Sequence, residues 1–146
     1  MNPDRLVFPD DLYYDQKHGW ASIDNNVVTQ GLTDFGQFIA GNIIFIELPI
    51  IGKEMIQGKN LLSIESGKWV GRLPAIISGK IIAINEDLRR KPSLINESPY
   101  KKGWFVKMEI SNQQEILKLM GSGTDLLNDF IKIEIERYKI ISIIYN

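Results

Sequence analysis

The sequence predicts a mainly β domain with α decoration, arranged as a β-sandwich or flattened barrel. Short runs of β-branched and aromatic residues recur between residues 12 and 110, and turn-forming residues separate them. A helical pattern of apolar residues becomes prominent only after residue 111. The length of 146 residues, with 44% hydrophobic and 24% charged residues, fits one globular domain with an ordinary core.

The chain divides by composition into three parts. Residues 1–12 contain Pro3 and Pro9 and are predicted to form an irregular lead-in. Residues 13–111 carry the strand pattern and form the predicted main domain. Residues 112–146 are predicted to be a helical tail, which is apolar enough near its end to require packing on the domain or on a partner.

The predicted strands follow the β-prone runs. Residues 42–48 form a nearly continuous β-branched run, which predicts a buried strand that ends at Pro49. Ser78-Gly79 is predicted to be a tight turn between two strands. The other predicted strands are residues 12–14, 20–23, 27–29, 61–65, 70–73, 73–77, 80–84 and 103–110.

The predicted helices are short and are identified by their caps. Thr33-Asp34 starts a helix that ends at Gly41, a common residue just past a helix end. A helical turn is predicted at residues 85–90, and residues 93–102 are predicted to be a loop. In the tail, the predicted helices cover residues 112–120 and the segment that begins at Thr124.

One hairpin has a lysine at its tip. Two strand-like runs meet at Ser66-Gly67-Lys68-Trp69, and glycine at the first central position of a two-residue loop favours a type II′ turn. Lys68 then takes the second central position, with its ammonium group in solvent. Such a lysine suits covalent attachment of a carried group better than general base catalysis. From these residues alone, an ordinary solvated turn lysine remains an alternative.

Composition excludes several classes of function. The net charge is −1, with 17 basic and 18 acidic side chains, which provides no field for nucleic acid or anionic membranes. The absence of cysteine removes thiolate nucleophiles and cysteine metal ligands. His18 is the only histidine, and a structural role near Trp20 is preferred over catalysis. No metal site is predicted. No signal peptide or membrane-spanning helix is predicted either, so the expected compartment is the cytoplasm.

Several segments, in the right order, resemble those of the glycine cleavage system H protein, a family of lipoyl carriers. The resemblance covers about residues 13–111. Its most informative part is Glu65-Ser66-Gly67-Lys68-Trp69, which falls on the family segment Glu-Ser-Val-Lys-Ala, whose lysine carries lipoate. The other matching segments are residues 14–20, 31–37, 41–49, 52–58, 85–88, 92–100 and 103–104.

The resemblance implies a lipoyl-domain-like fold of two small sheets, with lipoic acid amide-linked to Lys68. It implies a carrier without catalysis of its own, which shuttles aminomethyl groups, electrons or sulfur intermediates between enzymes. The implied partners are lipoate ligase or a lipoyl transferase, dihydrolipoyl dehydrogenase, and either glycine decarboxylase with aminomethyltransferase or a heterodisulfide-reductase-like complex.

The sequence around the lysine departs from the usual family pattern. Gly67 and Trp69 stand where Val and Ala are typical, and the basic Arg72 follows where small and acidic residues are usual. With Glu65 and Ser66, these residues are the predicted surroundings of the arm. This variant resembles the H-like lipoate-binding proteins of heterodisulfide-reductase-like sulfur oxidation, so both pathways stay open.

Three further hypotheses differ in class. The chain could be an unmodified scaffold or binding module, a biotinyl carrier, or a small hydrolase that uses His18 with a serine. The biotinyl hypothesis is disfavoured because Gly67 and Trp69 replace the usual Met-Lys-Met tip. For Trp69, contact with the arm or partners and cross-strand packing are both considered, whereas Trp20 and Trp104 are predicted to lie in the core or at its edge.

Overall fold

The computed structural model describes residues 6–138, which form two antiparallel sheets with short helices. This confirms the predicted mainly β fold class. The larger sheet has seven strands in the order β10-β1-β2-β3-β9-β8-β5, and the smaller has three in the order β4-β6-β7. The strands are β1 (Tyr13–Tyr14), β2 (Gly19–Asp24), β3 (Val27–Leu32), β4 (Ile43–Glu47), β5 (Glu54–Met55), β6 (Asn60–Ser66), β7 (Val70–Pro74), β8 (Gly79–Ile84), β9 (Val106–Ile110) and β10 (Met120–Gly121).

Four α-helices and a 3₁₀ helix complete the described part. Residues 93–102, predicted to be a loop, contain one of these helices, so that prediction is wrong there. The helices are α1 (Asp34–Ala40), α2 (Asp87–Arg90), α3 (Leu94–Glu97), α4 (Asp125–Arg137) and the 3₁₀ helix Gln113–Lys118. No helix within residues 6–138 is both long and apolar enough to cross a membrane.

The main core lies between the sheets, where side chains of both sheets and of the short helices pack together. Fully buried members include Ile64 from β6, Ile81 from β8 and Met108 from β9. A second cluster joins Trp20 of β2 to Leu127 of α4. Removal of this apolar surface from water is the main contribution to the stability of such a fold.

The β4 strand corrects one prediction. Its β-branched run predicts a buried strand, but Ile44 and Phe45 are 53% and 52% exposed, while Ile43 and Ile46 are buried. β4 is an edge of the three-stranded sheet, and its register to β6 shifts between Ile43 and Phe45. An edge strand that covers a core with one face leaves its other face in water.

The predicted turn at Ser78-Gly79 is also wrong. β7 and β8 belong to different sheets, and residues 75–77 cross between them without strand pairing. Gly79 begins β8, where a Cβ atom would lie 2.5 Å from the carbonyl oxygen of Glu109. The glycine is therefore needed for the close approach of β8 to β9 rather than for a turn.

The segment after residue 111 is tied to the sheet. The predicted helix at residues 112–120 is a 3₁₀ helix that ends at Lys118, and β10 then pairs with β1. The second predicted helix is confirmed as α4, whose cap Thr124 accepts a hydrogen bond from the Leu127 N–H. The division of the chain at residues 12 and 111 stays a prediction, and residues 1–5 and 139–146 lie outside the described part.

Candidate attachment site at the Lys68 hairpin

Lys68 lies at the exposed tip of the β6–β7 hairpin. Glu65 pairs with Val70, and the Ser66 N–H donates to the Trp69 carbonyl oxygen at 2.7 Å, which closes the ribbon below the tip. The buried Ser66 hydroxyl accepts from the Lys68 N–H at 3.3 Å. These bonds present Lys68 at a fixed position at the end of two paired strands.

The predicted type II′ turn is wrong. That turn requires a positive φ at Gly67, and Gly67 does not adopt one. A Cβ atom at residue 67 would also meet no atom within 4 Å. The hydrogen bonds of Ser66 therefore hold this loop without using the conformational freedom of glycine.

The lysine side chain bends towards the end of α1. Lys68 is exposed, as predicted, but its aliphatic part lies close to Gly41, where a Cβ atom would come within 3.0 Å of Cε and 3.7 Å of Nζ of Lys68. Gly41 has φ 86°, in the left-handed region that favours glycine. Gly41 thus ends the helix and leaves space for the lysine.

Asn96 of α3 holds the turn beneath the lysine. Its side-chain amide donates to the Gly41 carbonyl oxygen at 2.9 Å and to the Gln37 side-chain oxygen at 3.0 Å. Its own oxygen accepts from the Ile43 N–H at 2.8 Å. One side chain therefore connects the end of α1 to the start of β4, which gives the lysine a rigid base.

The Trp69 indole packs on β7, the strand that follows it in the chain. Its side chain occupies the space above Gly71, where a Cβ atom would lie 1.9 Å from Cζ2 of the indole. Trp69 remains 40% exposed. The ring therefore has a fixed position beside Lys68 and an open face.

Gly71→Ala is expected to displace this indole, because a methyl group and the ring cannot occupy the same space. The expected results are a red shift of tryptophan emission and easier quenching by acrylamide. Gly67→Ala is the matched control, since its methyl group would enter open space. Equal quenching in Gly71→Ala and the unmodified protein would contradict the assigned position of Trp69.

A groove of about 540 Å³ lies beside the hairpin. Leu32, Gly36, Ala40 and Leu73 supply small or apolar surface, and Trp69 lies at the hairpin side. The polar and remaining residues that line it are Gln16, Lys17, His18, Ile39, Lys68, Arg72, Glu134, Arg137 and Tyr138. The groove is thus formed jointly by the hairpin, α1 and the C-terminal end of α4.

His18 and Glu134 join the groove wall to α4. The His18 Nε2–H donates to Glu134 Oε1 at 2.7 Å, and both residues are buried. The His18 ring stacks on Phe35 with centroids 4.9 Å apart. Burial lowers the pKa of the His18 imidazole, against the opposing effect of the Glu134 hydrogen bond. The structural role predicted for His18 fits this geometry, although its partners are Phe35 and Glu134 rather than Trp20.

The structure brings most of the predicted site residues together at the groove or the loop, and one of them lies away from the groove. Trp69 and Arg72 line the groove with Lys68, and Ser66 and Gly67 form the loop itself. Glu65 lies in β6 between Phe45 and Val70 and does not line the groove. Residues 6–138 contain no group of three or more His, Cys, Asp or Glu side chains that could hold a metal ion.

Part of the groove is formed by residues that no local sequence pattern indicates. Glu134, Arg137 and Tyr138 come from the predicted helical tail, for which packing on the domain or on a partner is expected but no contact with the hairpin groove is predicted. Gly41 was identified only as a helix end. The resemblance placed it in a matching segment, which was the available signal for a role near the lysine.

Residues 12–129 match the family model of the glycine cleavage H-protein. The chain belongs to this family. Two similar relatives, each named glycine cleavage system H protein, come from Staphylococcus epidermidis and Carboxydothermus hydrogenoformans. The first is 42% identical over 117 residues, covering 80% of this chain and 93% of the relative. The second is 44% identical over 115 residues, covering 79% of this chain and 88% of the relative.

A crystal structure of a glycine cleavage system H protein from Mycobacterium marinum has the same fold. It matches with a TM-score of 0.75 at 24% identity and covers 87% of this chain and 98% of that chain. Members of the H-protein family are lipoyl carriers that hold lipoic acid covalently on a lysine. These comparisons support a lipoyl carrier of glycine cleavage and give no support to the sulfur-oxidation alternative.

Proposed function

We propose that Lys68 is the lysine to which lipoate is amide-linked in this member of the H-protein family. The observation that carries the proposal is the position of this amine at the exposed tip of a hydrogen-bonded hairpin, beside a groove. A modifying enzyme can reach such an amine without unfolding the domain. The residues around Lys68 leave room for lipoate, because the lysine side chain lies beside Gly41 and the groove is next to it.

We propose that the chain positions the cofactor and does not catalyse bond-making itself. Ser66 holds the loop, Gly41 leaves space for the lysine stem, and Trp69 provides a fixed aromatic surface beside it. When attached, lipoate supplies a dithiol–disulfide couple, which the chain lacks because it contains no cysteine. This division of work, with chemistry from the cofactor and geometry from the protein, is common in cofactor proteins.

The proposed partners are the enzymes of the same system. They are glycine decarboxylase, aminomethyltransferase and dihydrolipoyl dehydrogenase, together with a lipoate ligase or lipoyl transferase that modifies Lys68. We propose the cytoplasm as the compartment, since a chain without cysteine has no disulfide that needs an oxidising environment. We also propose residues 13–111 as the carrier domain, against which the later segment packs through β10 and α4.

The direct test is intact mass measurement and peptide mapping of protein purified from its native host. The expected result is a lipoyl mass increment on the peptide that contains Lys68. Protein expressed in cells that cannot supply lipoate serves as the control and is expected to lack the increment. Unmodified Lys68 in lipoate-replete cells, or an increment on another lysine, would contradict the proposal.

A further inference from the structure

The groove beside Lys68 has a cationic rim formed by Lys17, Arg72 and Arg137. Lys17 and Arg72 are exposed, and the Arg137 side chain is 68% exposed. Within residues 6–138, neither Lys17 nor Arg72 forms an ion pair with a carboxylate. The rim therefore presents positive charge to solvent in a chain whose net charge is −1.

The acidic group of the groove pairs with Arg137 and leaves the charges of Lys17 and Arg72 uncompensated. Among the described residues that line the groove, Glu134 is the one carboxylate, and only 4% of its side chain is exposed. Its Oε1 accepts from His18, and its Oε2 lies 3.5 Å from Arg137. A buried carboxylate with two partners is poorly placed to bind a further cation. Lys17 and Arg72, which have no carboxylate partner within residues 6–138, can meet an anion from outside the chain.

Any enzyme that receives the arm must approach the hairpin tip and will face this rim. Amide formation at Lys68 would remove the charge of that lysine and leave Lys17, Arg72 and Arg137 around the arm. Opposite charges at such a contact accelerate association and fix orientation more than they raise affinity. Carboxylates on the approaching enzyme would meet this charge pattern, and lysines or arginines there would be repelled.

We propose that the cationic rim binds a carboxylate-bearing surface at the mouth of the partner cavity that the arm enters. The proposal rests on the proposed function, because it takes Lys68 as the attachment point. Arg72 is expected to contribute most to this contact. It lies on β7 close in sequence to Trp69 and has no carboxylate partner within the described part of the chain. It acts as a specificity residue for the partner and takes no part in the chemistry.

The test measures the association rate with the aminomethyltransferase of the same organism by stopped-flow fluorescence. Arg72→Gln and Arg72→Glu form a charge series, and Lys17→Glu is a second rim variant. Lys101→Glu is the matched control, because Lys101 is exposed, does not line the groove and undergoes the same change of two charge units. Each protein is measured in lipoylated and unlipoylated forms, at low and high salt.

At about 10 mM salt, where the Debye length is about 30 Å, we expect Arg72→Glu to slow association about tenfold and Arg72→Gln to slow it less. The difference in association rate between these variants and the unmodified protein should nearly disappear at about 1 M salt, where the Debye length is about 3 Å. Lys101→Glu should stay within about twofold of the unmodified protein. Thermal unfolding midpoints should be unchanged, which would exclude misfolding as the cause.

The proposal is overturned if Arg72→Glu and Lys101→Glu slow association equally, or if Arg72→Glu accelerates it. It is also overturned if Arg72→Glu leaves this association unchanged but abolishes binding to phosphatidylglycerol vesicles, because the rim would then serve a membrane. Because the unlipoylated form is measured too, these outcomes do not depend on modification of Lys68. Failure of the attachment site would instead appear in the peptide map.

Discussion

Lys68→Arg is expected to abolish lipoylation while leaving the fold intact. Arginine keeps the positive charge and nearly the same length, but its guanidinium stays protonated and is no substitute for the amine that forms the amide. Lys68 is exposed at the hairpin tip, and its backbone N–H, which bonds Ser66, is unaffected by the exchange. Carrier activity should therefore be lost completely, since no lipoate would be present to load.

The measurement combines intact mass, thermal unfolding and glycine cleavage activity in a system reconstituted with its partner enzymes. Lys80→Arg is a suitable control, because Lys80 is an exposed lysine on β8 in a different sheet. It should be lipoylated and active like the unmodified protein. A full lipoyl increment in Lys68→Arg would show that another lysine is the attachment point.

Glu134→Ala is expected to cause the largest loss of stability among the groove variants. It removes the carboxylate that accepts from the buried His18 and leaves that imidazole N–H without its partner. A buried donor without an acceptor costs about 1–3 kcal/mol, to which the loss of contacts at the groove wall is added. The C-terminal turn of α4 should separate from the body more readily, because Glu134 is the buried residue closest to its end.

Chemical denaturation and amide hydrogen exchange of α4 would measure this effect. Glu136→Ala is the matched control, since Glu136 lies on the same helix and is exposed. Glu134→Gln should lose less stability than Glu134→Ala, because its amide oxygen can still accept from His18. Equal stability of Glu134→Ala and Glu136→Ala would mean that the His18–Glu134 contact does not hold the helix.

Local sequence signals predicted the elements whose formation depends on neighbouring residues. The cap at Thr33 and the end of α1 at Gly41 follow from short-range hydrogen bonding and from the positive φ that glycine permits. Alternation and turn residues located the strands of the β6–β7 hairpin and placed Lys68 at its tip. The resemblance in segments around Lys68 indicated the family, which the comparison with known proteins confirmed.

Features that depend on distant residues were mispredicted or missed. The β4 run is apolar on both faces, and the register shift against β6 leaves the consecutive residues Ile44 and Phe45 both in water. Ser78-Gly79 has the composition of a turn. Gly79 is instead needed because the backbone of β9 lies too close to it for a side chain. Local patterns cannot distinguish these cases, because the deciding contact comes from another strand.

By itself, the sequence determined the mainly β character of this protein, the hairpin that carries Lys68 and the family to which it belongs. The tertiary structure alone decided what surrounds the lysine. It placed Gly41 beside the lysine stem and brought Glu134 and Arg137 to the same groove. The physical reason is that a groove is a space between elements, and its charge and shape depend on which distant side chains become neighbours when the chain packs.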